Sequence, residues 1–156
     1  MENVFDEKNF GEASEVSNNV IDWGMPGDFL LGTFMKARNG IETEYGVNSI
    51  YEIYAERGSF HKQSGKGRNV KASEEETIIS KGEVWGVWGR GDIFCGIMGR
   101  FTPGQVIKIT YVENGGKDGL WKDVRINAPK GNDGKPLMNK EWLEMMEPKL
   151  MSGEEY

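Results

Sequence analysis

Apolar and polar positions begin to alternate regularly only after residue 27. Residues 1–22 are polar, rich in Asn, Glu and Ser, and without a period. They read as part of an acidic N-terminal arm over 1–26, with room for at most a short helix. The stretch DFLLGTFMKAR (28–38) has the apolar and aromatic content of a strand, with Gly32 suited to a sharp bend. NGIETEYGVN then reads as a loop. SIYEIYAE (49–56) predicts a second strand, with Ile50, Glu52 and Tyr54 on one face and Tyr51, Ile53 and Ala55 on the other. RGSFHKQSGKGRNVKAS (57–73) reads as a long, mobile basic hairpin insertion. ETIISKGEVWGVWG (76–89) is a strand pair or one long, broken strand.

The period then changes. In RGDIFCGIMGRF (90–101), Ile93, Ile97 and Met98, with Phe94 one step round, recur at helical spacing. This predicts a short helix capped by Asp92 and weakened by Gly96. QVIKITYVENGG (105–116) alternates again, with Ile107, Ile109 and Tyr111 one way and Lys108 and Thr110 the other. After the turn ENGGKDG comes LWKDVRINAP (120–129), with Trp121, Asp123 and Arg125 opposite Lys122, Val124 and Ile126. Residues 129–156 read as a C-terminal tail. Within it Trp142, Leu143, Met145 and Met146 predict a short amphipathic helix stopped before Pro148. The order strand, strand, strand, short helix, strand, strand predicts a mainly β domain over 27–128. Its expected form is a five-stranded Greek-key OB-fold barrel with the helix between strands 3 and 4. An SH3-like barrel or a small sandwich would leave that helix less well explained.

Length and composition narrow the class. At 156 residues the chain is long enough for one domain with extensions, and its 22 glycines favour turns and short strands. No apolar run approaches the roughly 20 residues that span a bilayer, so no membrane partner is expected. The segment MENVFDEKNF lacks the basic flank and apolar stretch of a secretory signal, and Cys95 has no second cysteine to pair with. A cytoplasmic protein with a reduced, buried thiol and no cofactor is expected.

Charge changes the picture more. The net charge is −6, yet the excess acid lies at the ends. Residues 28–128 hold fourteen basic and thirteen acidic side chains. From 57 to 73 there is no acid, while Arg57, Lys62, Lys66, Arg68 and Lys71 are basic. Local density, not the total, attracts a polyanion.

Catalysis finds no candidate. The single histidine, His61, has no nucleophile in a suitable setting and reads as an exposed loop residue. Glu74–Glu76 are adjacent, so on a strand they point different ways, and they read as a solubilising stretch rather than a metal site. GKGR (65–68) and NGGKDG (114–119) lack the phosphate-loop spacing.

The residues GDFLLGTFMKA, IYEIYAERG, GEVWGVWGRGDIF, FTPGQVIKITYVENGG and WKDVRI carry a resemblance to small OB-fold proteins of bacteriophages and prophages. Many of those are regarded as single-stranded DNA-binding proteins. The resemblance covers roughly residues 27–127. It implies DNA binding during replication or recombination, in the cytoplasm of a bacterial host. The basic insertion at 57–73 is longer than the family pattern. The ending EEY is similar in kind to the acidic tails of bacterial single-stranded DNA-binding proteins, which recruit replication and repair enzymes. A solubilising end fits it equally.

Unpaired nucleic acid is held by cations that follow phosphates and by aromatic faces on which bases stack. In an OB barrel strands 2–3 and the adjoining loops do this. The candidate residues are therefore Tyr51, Tyr54, Arg57, Phe60, His61, Lys62, Lys66 and Arg68 from strand 2 and its tip. Trp85 and Trp88 come from strand 3, Lys36, Arg38 and Tyr45 from the strand 1–2 loop, and Lys117 and Lys122 from the strand 4–5 turn. Phe60 is favoured as a stacking residue because it lies among cations. Trp85 and Trp88 are an odd number apart, so one should be core and the other exposed; the pattern does not say which. Tyr51 and Tyr54 pose the same question. Two other functions stay open: a structural or adaptor module, for example a phage particle component, and RNA binding.

Overall fold

A computed structural model describes residues 19–43, 46–64, 71–89, 91–115 and 121–152. Its elements are β1 (Phe29–Thr43), β2 (Gly46–Ser64), β3 (Lys71–Ile79), β4 (Val84–Trp88), α1 (Gly91–Met98), β5 (Val106–Gly115), β6 (Trp121–Asn127) and α2 (Lys140–Ser152). The chain is mainly β, as its alternation predicts. The strands form one antiparallel sheet in the order β3-β2-β1-β5-β6, with β4 also on β2. The expected closed barrel of five strands needs correction. The sheet has six strands and stays open, because no ladder joins β3 or β4 to β6 among the described residues.

β2 organises the sheet. It is 19 residues long, and its two halves meet different neighbours. Residues 50–54 pair with β4 and residues 58–64 with β3, so the segment 76–89 is indeed one broken strand laid along a single partner. The break is the turn before β4, where Gly82 N donates to the Ala55 carbonyl at 2.9 Å.

Two expected loops are ladder instead. Residues 39–43 and 46–48 continue the β1–β2 ladder, pairing Ile41 with Asn48, Glu42 with Val47 and Thr43 with Gly46. An irregularity between Arg38 and Ile41 absorbs the extra residue there, and Gly40 takes the left-handed φ of 73° that it requires. The basic hairpin of 57–73 is strand up to Ser64 and again from Lys71, which leaves only 65–70 outside the described residues.

The inward face carries Leu30, Phe34, Tyr51, Ile53, Ala55, Phe60, Ile79, Trp85, Val87, Ile107, Ile109 and Tyr111, all buried. Each large side chain moved from water to this core contributes about 1.5–3 kcal/mol. α1 covers part of it with Phe94 and Met98. Its expected apolar face is thus rotated by one residue. Ile93 is 83% exposed and Ile97 38%, whereas Phe94 meets the Tyr51 ring edge-to-face at 6.0 Å. Two i, i+4 apolar pairs lie side by side on this helix, and its packing against β2 selects the Phe94–Met98 pair. The proposed Asp92 cap lies outside the described side chains.

The stretch 19–23, read from its composition as part of the arm, is built into the fold. Val20 forms a parallel bridge to Gly86, and Ile21 and Trp23 join the core. Gly86 permits this approach, since a Cβ there would lie 2.7 Å from Ile50 Cδ1 and 3.5 Å from the Asn19 carbonyl oxygen. At the other end, α2 runs on past Pro148 rather than stopping before it. The Pro148 nitrogen donates no bond to its ladder. Trp142 is buried, and Asn139 anchors the helix to the sheet through Nδ2, which donates to Thr33 Oγ1 at 2.8 Å. No helix of the described residues is long and apolar enough to cross a membrane.

Candidate nucleic-acid interface

The outward face of the sheet follows from the same register that fills the core. Side chains alternate along each strand, and directly opposed residues share a face. Phe29, Leu31 and Thr33 of β1 therefore lie on the outward side with their partners. One cross-strand row is Arg57–Leu31–Lys108–Asn127 and the next is Ser59–Phe29–Thr110–Arg125. Farther along come Val84–Tyr54–Thr33–Val106 and Trp88–Ile50–Arg38. Bulges at Glu56 and Met35 keep these rows on one side despite an extra residue in each strand.

Three aromatics stand half-buried on this face: Phe29, Tyr54 and Trp88. Arg57 and Arg125 are exposed beside them and Lys108 is half-buried. No described residue forms an ion pair with any of these three cations. Lys108 Nζ sits 5.1 Å from the centroid of the Phe29 ring. That contact is worth about 0.5–1 kcal/mol at an exposed site, little enough to be exchanged for a phosphate. The one buried acid among these rows is Glu52. It accepts a 2.6 Å bond from Arg38 Nε and lies opposite Lys36 in the register. Lys36 and Arg38 are thus on the face but stand around a carboxylate that they compensate.

Three sequence-predicted residues need correction. Phe60, expected to stack on bases, is 1% exposed and meets the Trp85 ring edge-to-face at 5.2 Å. Alternation, not composition, fixed its direction: the pleat turns it inward opposite Thr77 although its sequence neighbours are cations. Tyr51 and Trp85 are core for the same reason, which leaves Tyr54 and Trp88 as the outward members of each pair. Burial, then a hydrogen bond to Cys95, pushes the Tyr51 hydroxyl up to about 12. Trp85 Nε1 has no acceptor among the described residues.

His61 is also not the exposed loop residue expected. It lies half-buried on β2, with Nδ1 2.7 Å from Asp28 Oδ1. Asp28, itself buried, also accepts from the backbone N–H groups of His61, Gly24 and Met25. This carboxylate ties the N-terminal stretch to β2, so His61 is committed to the fold. Lys62 is exposed, but the strand beside it, β3, brings Glu74, Glu75 and Glu76, all exposed, with Glu76 opposite His61. The acid-free run in sequence is not acid-free in space. Lys66, Arg68, Lys117 and Tyr45 lie outside the described residues, as does the Lys122 side chain. Among the described residues no three His, Cys, Asp or Glu side chains gather to hold a metal ion.

Sequence reasoning missed Phe29, Lys108 and Arg125. Their signal was present as period two: Lys108 is flanked by inward Ile107 and Ile109, and Arg125 by inward Val124 and Ile126. What the pattern lacked was the strand order that sets them beside Arg57 and Tyr54. The chain matches no protein-family model, no curated protein and no solved structure.

Proposed function

We propose that this chain is a non-enzymatic single-stranded DNA-binding protein with little sequence preference, of the phage type its sequence resembles, and that it takes the strand on the outward sheet face. The observation that carries this is the sharing of one face by Phe29, Tyr54 and Trp88 with Arg57, Lys108 and Arg125, cations that have no ion-pair partner among the described residues. Rings supply stacking of about 1–3 kcal/mol per base, and the cations release counterions from the phosphates. The strand path supports an open relative of the OB-fold. β1 lies between β2 and β5, a broken third strand lies on β2, α1 follows it, and β6 lies on β5. The ladder that closes a Greek-key barrel is missing from that path among the described residues.

A titration with oligo-dT, duplex DNA and RNA at two salt concentrations tests this. Oligo-dT should bind tightest, with affinity falling as salt rises and tryptophan fluorescence quenched. Trp88→Phe should reduce the quenching, because Trp88 stands on this face whereas Trp23, Trp85 and Trp142 are buried. Equal or absent binding to all three would remove the proposal. A second reading, a structural or adaptor module, draws on the uncovered Ile93 and Ile97 of α1. It predicts salt-insensitive association with protein and no response to oligo-dT.

A further inference from the structure

We infer that the outer edge of β6 is a self-association surface, on which a second copy of this chain lays its own β6 antiparallel about a two-fold axis at Val124. This goes beyond DNA binding and does not depend on it.

Three strands have a ladder partner on one side only among the described residues: β3, β4 and β6. A bare strand edge offers its row of backbone N–H and C=O groups to any passing strand, and natural folds cover or distort it. Two of the three edges are treated in that way. The stretch 19–21 lies along β4, with Ile21 N donating to the Gly86 carbonyl at 2.9 Å and Gly86 N to the Asn19 carbonyl at 2.8 Å. β3 is bulged, since Ser73, Glu74 and Glu75 face only Lys62 of β2. Its three successive acids, Glu74 to Glu76, would also repel a second β3. β6 has neither device. The one irregularity of its ladder puts the extra residue, Val112, on β5, so β6 runs unbroken over its seven residues. Among the described residues no bridge or backbone bond reaches its outer side.

The charges on this edge match their own image. Asp123 and Arg125 are both exposed on the outward face, and neither has an ion-pair partner among the described residues. Turning a copy end for end about Val124 sets Asp123 opposite Arg125 of the second copy, and Arg125 opposite its Asp123. Directly opposed residues of an antiparallel pair have Cβ atoms about 4.5–5.5 Å apart, so both ion pairs form together. Centring the axis on Asp123 or on Arg125 would instead oppose like charges, so the charge pattern selects Val124. On the inward face the same step brings Val124 against Val124 of the second copy. Val124 and Ile126 pack on the core yet stay half-buried, because the sheet ends beside them, and a second strand covers that flank. A contact of this kind uses the same patch on both copies, so assembly stops at two. Both outward faces then lie on one side of the joined sheets. The Arg125 guanidinium has five N–H donors, so a carboxylate leaves others for a phosphate.

Analytical ultracentrifugation of the full chain without nucleic acid tests the surface. A monomer–dimer equilibrium that shifts with concentration and stops at two copies is expected. Asp123→Arg and Arg125→Asp, each alone, oppose like charges at both pairs and should weaken the dimer by about tenfold or more. An equimolar mixture of the two variants restores both ion pairs and should dimerise about as tightly as the parent. So should the variant that carries both changes. The mixture also guards against misfolding, because a variant that cannot fold is not rescued by its counterpart. A parent that sediments as a monomer throughout, a dimer indifferent to the single changes, or a mixture that stays monomeric would overturn the inference. Association that keeps growing with concentration would overturn it too, since that marks a head-to-tail contact of β6 with β3.

Discussion

The two faces of β2 share a backbone and differ in almost everything else. Inward stand Tyr51, Ile53, Ala55 and Phe60, each 3% exposed or less; outward stand Glu52, Tyr54, Arg57 and Ser59, of which only Glu52 is buried. The inward side accepts no charge. Away from the core β2 carries the compensated Glu52 carboxylate, the exposed Glu56 and cations that reach water. A step of one residue along the strand moves a side chain from one regime to the other. Aromatic rings occur on both faces, so an aromatic residue type says nothing by itself about binding; its parity on the strand does.

The sharpest way to break this comparison is Phe60→Ala. Removing a ring packed against Trp85 should lower unfolding free energy by about 3–5 kcal/mol in urea, with oligo-dT affinity of the folded protein little changed. If Phe60 were a stacking residue the effects would be reversed. The outward counterpart is charge reversal of Arg57, Lys108 and Arg125 together to Glu. Affinity for oligo-dT at low salt should drop at least a hundredfold, while stability stays within about 1 kcal/mol, as for surface changes generally. Tyr54→Ala should weaken binding by about 1–3 kcal/mol without altering the salt slope. Lys108→Gln should instead reduce the slope of log K against log salt by about 0.7, the share of one neutralised phosphate on a single strand.

The smallest effect lies on the inward face. With its folded-state value raised to about 12, Tyr51 keeps its proton at pH 10–12 while the unfolded chain loses it. The unfolded state then binds fewer protons, so stability falls as pH rises through that window. Tyr51→Phe should flatten the decline, measured as urea midpoints across pH 9–12.

Much of the fold was legible locally. Period two in 105–115 and 121–127 gave β5 and β6, and the shift to helical spacing after residue 90 gave α1. The acid-free run at 57–73 misled, because its neutralising strand comes from residues 74–76, which only pairing with β2 places beside it. The stretch 19–23 misled for a related reason: Ile21 and Trp23 lack a periodic context, and their burial depends on a bridge to Gly86 more than sixty residues away.

By itself, then, the sequence determined the central stretch of most strands, which positions alternate there, and that a pair such as Trp85 and Trp88 must divide between two sides. It could not choose the side, because alternation has no sign until a strand is set against its neighbours. The register of β2 against β1, β3 and β4 supplied that sign. It sent Phe60 and Trp85 inward and Tyr54 and Trp88 outward, and the ladders of β1 with β5 and of β5 with β6 set Lys108 and Arg125 on the same face as Arg57. Charge that acts between strands about 5 Å apart is a property of that arrangement and of no single stretch of chain.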